Sequence, residues 1–195
     1  MKNKNAQLFA SLLLAVSSNA LYAQVYVSGT VGPTAIDDSI FKDTTGLRLS
    51  GGYHLMDNLA IDLSYVNLGE FELNSRGLAQ VNAVLAGSGI TVTDASSEVD
   101  GYELALVGNF PLSNAFSLFG RIGNFFWDAD LDISHTNNGL GGMFIPRDTD
   151  GADLSLGLGV EVKLGETVSL TAEYTQYTIE DGDIHLLGAG VKARF

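Results

Sequence analysis

Three groups of residues in this chain have the types and spacing for chemistry. Ser134 and His135 adjoin in "DISHTNN", the one place where a serine and a histidine stand side by side. A hydrolase needs that pair, with an acid to orient the imidazole. Neighbours on an extended chain point to opposite sides, however, so a solvated or satisfied histidine is the better account. The segments "DADLD" (128–132) and "DTDGAD" (148–153) crowd carboxylates as a Ca²⁺ loop would, the second with a glycine for a tight turn. Both lack the spaced bidentate Glu, so solvated acidic loops are the simpler reading. The third group is Arg48, His54, Asp62, Glu103, Arg121, Glu161, Lys163, Glu173, Lys192 and Arg194, each set within an alternating apolar segment.

What positions this third group is a period-two alternation. Turn-bounded alternating segments run at about 24–36, 46–56, 59–69, 100–111, 115–127, 152–164, 167–179 and 184–195. Tight turns fall at 56–58, 111–114 and 165–166, whereas 37–45, 70–99 and 128–151 are long connections and 180–183 is a short acidic loop. Leu78, Val81 and Leu85 have helical spacing, so the second long connection is read as holding a short rim helix or an adhesive patch. Tight turns at one end and long loops at the other describe an eight-stranded antiparallel up-and-down β-barrel.

One face of every strand lacks charge: Leu47 and Leu49, Ile61 and Leu63, Leu104 and Leu106, Leu118 and Ile122, Leu154 to Leu158 at alternate positions, Leu170, and Val191. The opposite face carries the third group among Ser, Thr and Gly. Its charges nearly balance while the acidic excess sits in the connections, which points to pairing inside. The apolar face then meets lipid: tilted strands of about 9–11 residues span a bilayer, and closure satisfies the edge hydrogen bonds. Tyr53, Tyr102, Phe110, Phe116, Tyr174 and Phe195 fall where interfacial girdles belong. A soluble lipocalin-like barrel would instead put the charges outside. On this register Arg121 is the only cation at mid-lumen, with Asp62, Glu103 and Glu173 as partners; His54 and His185 face inward and His135 lies in a loop.

Composition agrees. The chain has 195 residues and no cysteine, which removes disulfides, thiolate metal sites and Cys nucleophiles. Its formal net charge is −13 with no basic stripe, which excludes the nucleic-acid backbone as a partner. "MKNKNAQ", the apolar run "LFASLLLAV" and the small-residue end "SSNALYA" read as a secretory signal peptide over residues 1–23, cleaved after Ala23 or Ala20. That run is too short to span a membrane, which takes roughly 20 residues. Without Lys2 and Lys4 the remaining barrel domain, 24–195, has 8 bases against 23 acids, a net −15. An exported, acidic, cysteine-free chain fits the outer membrane of a Gram-negative bacterium.

"NLAIDLSYVNLGEF" (58–71), "FSLFGRIGNFFWD" (116–128) and the terminal "LLGAGVKARF" resemble the third, fifth and last strands of the OmpA-like family of eight-stranded outer-membrane β-barrels. The resemblance implies a structural or adhesive protein without catalysis or cofactor, active through its loops, and lacking the peptidoglycan-binding domain of many relatives. It implies a lumen plugged by an ion-pair network whose counterparts here are Asp62, Glu103, Arg121, Glu161, Lys163 and Glu173. It also implies that Phe195 serves as the C-terminal signal for the outer-membrane assembly machinery, although Ala193 stands where such signals carry an aromatic. The expected partners are outer-membrane lipid, lipopolysaccharide, that machinery, and a host or cell-surface ligand at the loops. The alternatives are a narrow ion-conducting pore and a lipid-modifying enzyme.

Overall fold

The computed structural model describes residues 24–36, 40–137, 140–179 and 182–195, without the side chains of 137 and 140–148. The expected signal peptide and the acids Asp37, Asp38, Glu180 and Asp181 lie outside the described residues. Alternation becomes eight strands: β1 Val25–Ile36, β2 Thr44–Met56, β3 Leu59–Glu72, β4 Ile90–Pro111, β5 Phe116–Asn137, β6 Leu140–Lys163, β7 Val168–Ile179 and β8 Gly182–Arg194. They close in sequence order into an antiparallel barrel, sealed between β1 and β8 by pairs such as Val27 with Ala193 and Val31 with Ala189.

Three strands are much longer than expected. β4 and β5 each have 22 residues and β6 has 24, so the connection expected at 128–151 is largely strand, and β4 takes in 90–99 of the one expected at 70–99. The alternation was present there: Asp128, Asp130 and Asp132 are exposed while Ala129, Leu131 and Ile133 between them are partly buried. Carboxylates in the outward phase, where lipid-facing residues were expected, make this strand look like a loop. The expected rim helix is α1, Ser75–Val84, capped by the Asn74 side chain, which accepts from the Arg76 and Gly77 amides at 3.0 Å each.

The extension beyond the barrel wall has two unlike edges. On β4, the Asn82 side chain of α1 imitates a partner strand: its Nδ2 donates to the Val92 carbonyl at 2.9 Å and its Oδ1 accepts from the Val92 amide at 2.8 Å. The Leu73 amide adds a bond to the Ala95 carbonyl at 2.9 Å. On β6, the register with β7 begins at Ser155 opposite Tyr177; among the described residues, no strand pairs with the outer side of 140–152.

The two faces separate sharply. Leu47, Leu104, Leu106, Leu154, Leu156, Leu158, Leu170 and Val191 are exposed on the outside, where lipid covers them. Inward, small residues make room for large ones. Tyr26 lies over Gly52 and Phe119 over Gly159, each pair being direct cross-strand neighbours. A Cβ at Gly52 would come within 2.1 Å of the Tyr26 ring, and one at Gly159 within 2.3 Å of the Phe119 ring. At these two places the glycine leaves the room in a narrow barrel that the inward ring occupies.

Candidate functional site

The lumen gathers its charges into compact groups. Arg121 of β5 donates through Nη1 to Glu103 Oε2 of β4 at 2.8 Å and through Nη2 to Asp62 Oδ2 of β3 at 2.9 Å. Each carboxylate is held a second time, Asp62 by the Tyr26 hydroxyl and Glu103 by Ser155 Oγ at 2.6 Å. Arg48 of β2 pairs with Glu173 of β7 and donates to Thr175 Oγ1 at 3.2 Å and Tyr177 Oη at 3.3 Å. Toward the tight turns, Glu161 of β6 takes Lys192 at 2.9 Å and also Arg194, which donates to Ser169 Oγ at 2.8 Å. Four cations thus meet four carboxylates, and all but Arg194 are buried. Neutral pairing of this kind is what allows ions to leave water.

This arrangement corrects the sequence reading in two places. Lys163 is exposed as the last residue of β6 and belongs to none of these groups, because its inward-phase position lies beyond the end of the lumen. Arg121 is not the only central cation: Glu173 belongs to Arg48, and Lys192 serves Glu161. Arg48 and Lys192 were visible in the inward phase but went unassigned to partners, since strand tilt brings β2 against β7 across the bore. The hydroxyls of Tyr26, Ser155, Thr175 and Tyr177 were also missed; their inward phase was the available signal.

Above the ions the lumen changes character. Val66, Leu68, Phe71, Val99, Phe125, Trp127, Tyr177, Ile184 and Leu186 form a buried apolar cluster toward the loop end, joined by Ile36, Phe41, Ala129 and Ile179. The inward face is therefore not polar throughout, as its expected Gly, Ser and charged character required. Tyr177 joins the two parts, accepting from Arg48 through its hydroxyl while its ring packs on Phe125, centroids 4.9 Å apart. A void of about 10 Å³ lies among Thr30, Arg48, Asp62, Arg121, Thr171 and Glu173, room for about one water.

The histidines take three different positions. His54 faces inward beside the Tyr26 ring, centroids 5.2 Å apart. His185 faces outward, not inward: Ile184 and Leu186 fill the lumen positions, and His185 stacks on exposed Tyr174 with Nδ1 2.6 Å from its hydroxyl. His135 lies on β5 rather than in a loop, buried, with Ser134 exposed on the other face. The Ser–His pair does not converge.

Outside, a girdle row of Tyr65, Tyr102 and Phe126 crosses β3, β4 and β5, the two tyrosine rings 5.7 Å apart. Above it the register places Asn67, Asp100, Asp128 and Asp150 in one cross-strand row, and Glu70, Glu98, Asp130 and Asp148 in the next. Tyr65 donates to Asp100 at 2.9 Å and Asn67 to Glu98 at 3.3 Å. These rows run along the sheet; among the described residues, no three metal-binding side chains converge.

Known proteins share this architecture. Neisserial surface protein A, from Neisseria, superposes with a TM-score of 0.60 at 17% identity over 88% of this chain and 97% of that one. The attachment invasion locus protein Ail of Yersinia pestis gives 0.55 at 14% identity over 89% and 99%. A major outer membrane protein of Thermus thermophilus gives 0.52 at 12% identity over 88% and 99%. No curated protein matches the chain. Residues 8–195 match the family described as the outer membrane protein beta-barrel domain. With its apolar exterior, closed strand order and girdled rim, this chain belongs to that family and resides in the outer membrane.

Proposed function

We propose that the barrel is a sealed anchor that presents an extracellular β-sheet for attachment at the cell surface. The observation that carries this reading is the length of β4, β5 and β6, 22 to 24 residues where about 9–11 suffice to cross a bilayer. The surplus forms a stiff platform held away from the membrane, while the lumen below it is occupied by paired ions and packed apolar side chains. Ail, by its name an attachment invasion locus protein, was also solved with the heparin analogue sucrose octasulfate, in a structure 14% identical to this chain at a TM-score of 0.52. The acidic rows here repel a polysulfate, so the ligand of this platform is neutral or cationic. The same rows approach lipopolysaccharide phosphates only through divalent cations. Residues 1–23 direct export, and Phe195 is read by the assembly machinery.

Replacing residues 130–148 with an Asn-Gly turn links Ala129 to Thr149, already a hydrogen-bonded cross-strand pair, and removes the platform's upper half. Cells carrying the shortened chain should lose attachment to host-cell or bacterial monolayers while the barrel keeps its heat-dependent migration in SDS gels. Undiminished attachment by a correctly assembled short form contradicts the proposal.

A further inference from the structure

The outer edge of β6 is an open strand-addition site, and its free backbone groups can be assigned. The Lys163 amide donates toward β5, to Ala115, and the Leu164 amide donates toward β7, to Val168. The β5–β6 register runs without a slip from Phe116–Val162 to Thr136–Gly142. Odd-numbered residues of β6 therefore point their amides and carbonyls at β5, and even-numbered residues point theirs outward. Beyond Ser155 the outward set is Leu154, Ala152, Asp150, Asp148 and Pro146. Pro146 fits this parity, because the N–H it lacks would face no partner. Between Pro146 and the barrel rim, Asp148, Asp150 and Ala152 present a ladder with no strand beside it among the described residues. The opposite edge, on β4, is occupied by Asn82 and Leu73.

We infer that this edge binds an extended polypeptide segment bearing Lys or Arg at alternate positions, by antiparallel addition to β6. Strand addition draws affinity from main-chain bonds and specificity from alternate side chains. Asp150 sits at the open end of the row it shares with Asn67, Asp100 and Asp128, so an added strand places its outward side chains directly beside it. Cations there relieve the like-charge opposition that the rows otherwise carry. A second copy of this chain pairing through the same edge brings no Lys or Arg to the acidic rows, since its even-numbered positions are Pro146, Asp148, Asp150 and Ala152. The inference rests on the attachment reading and names the chemistry of the ligand.

The test uses the full protein in lipid nanodiscs and a synthetic alternating Lys/Val peptide, with two controls: the same peptide N-methylated at alternate amides, and a Glu-for-Lys version. Saturable binding of the Lys peptide is expected, weakened about tenfold or more by N-methylation and by Ala152→Pro, and abolished by the Glu version. Ala152→Pro removes an outward N–H and spares the β5 ladder; should it fail to assemble, the N-methylated peptide on unaltered protein still decides. Equal binding of methylated and unmethylated peptides, or no binding of the Lys peptide, overturns strand addition. If cells carrying an assembled Ala152→Pro attach normally while the shortened sheet does not, strand addition fails and the attachment reading stands.

Discussion

Toward the tight turns, Arg121, Arg48, Lys192 and Arg194 meet Asp62, Glu103, Glu173 and Glu161, whereas toward the loops nine apolar side chains from Val66 to Leu186 close on one another. Both parts fill the same narrow bore, yet they respond differently to damage. An apolar plug degrades with the volume removed, roughly in proportion. A charged plug is all or nothing at each group, because a lost partner leaves a buried charge that cannot be repacked. The ionic part therefore specifies which strands face one another, and the apolar part supplies packing near the mouth.

The largest effect should come from Arg121→Ala, which strips Asp62 and Glu103 together and is expected to cost about 3–5 kcal/mol in unfolding titrations from detergent or bilayers. Combining Arg121→Met with Asp62→Asn and Glu103→Gln should recover much of that loss, since no buried charge remains at the group. If the triple variant is as weak as the single one, charge is not what distinguishes the lower part. Leu186→Ala in the apolar part should cost about 2–5 kcal/mol. Its size should follow the cavity left behind, measured across a Leu68→Ala and Val66→Ala series.

Next come substitutions that test whether the wall between lumen and lipid lies where the register puts it. Leu156→Arg or Leu106→Arg on the outward face should cost about 2–4 kcal/mol and impair insertion, with Ser169→Arg near the lumen end milder. Equal effects would place the register one residue out, since a slip exchanges the faces. Gly159→Ala should cost about 1–3 kcal/mol, because its methyl meets Phe119, and Phe119→Leu should relieve it. The smallest effect belongs to Lys42 and Glu72, a pair 2.6 Å apart on the exposed rim. Glu72 raises the Lys42 pKa by hydrogen bonding and charge, yet Lys42→Gln should leave the melting temperature unchanged, because water screens exposed pairs.

The barrel was legible because period-two alternation survives in single residues: Leu104, Leu106 and Glu103 declare their faces without any tertiary information. Its upper wall was not, since Asp128, Asp130 and Asp132 have the composition of a loop and only the phase of a strand. Within the lumen, Asp62, Glu103 and Arg121 were legible as inward charges on neighbouring strands. Arg48 with Glu173 was not, because contacts across a bore depend on tilt and closure, which no local spacing records. The apolar cluster escaped for a related reason: Phe125, Trp127 and Tyr177 share the inward phase, but aromatics near a strand end also fit a lipid girdle. His185 shows the converse, an assignment that strand phase alone would have corrected.

Current through the barrel tests the central claim most directly. Planar-bilayer recordings of the unaltered protein should show no steady, large conductance, with transient openings appearing or increasing in Arg121→Ala as water enters around the exposed carboxylates. A steady, large conductance in the unaltered protein that Arg121→Ala leaves unchanged, with unchanged stability, would contradict the sealed lumen and make the barrel a pore.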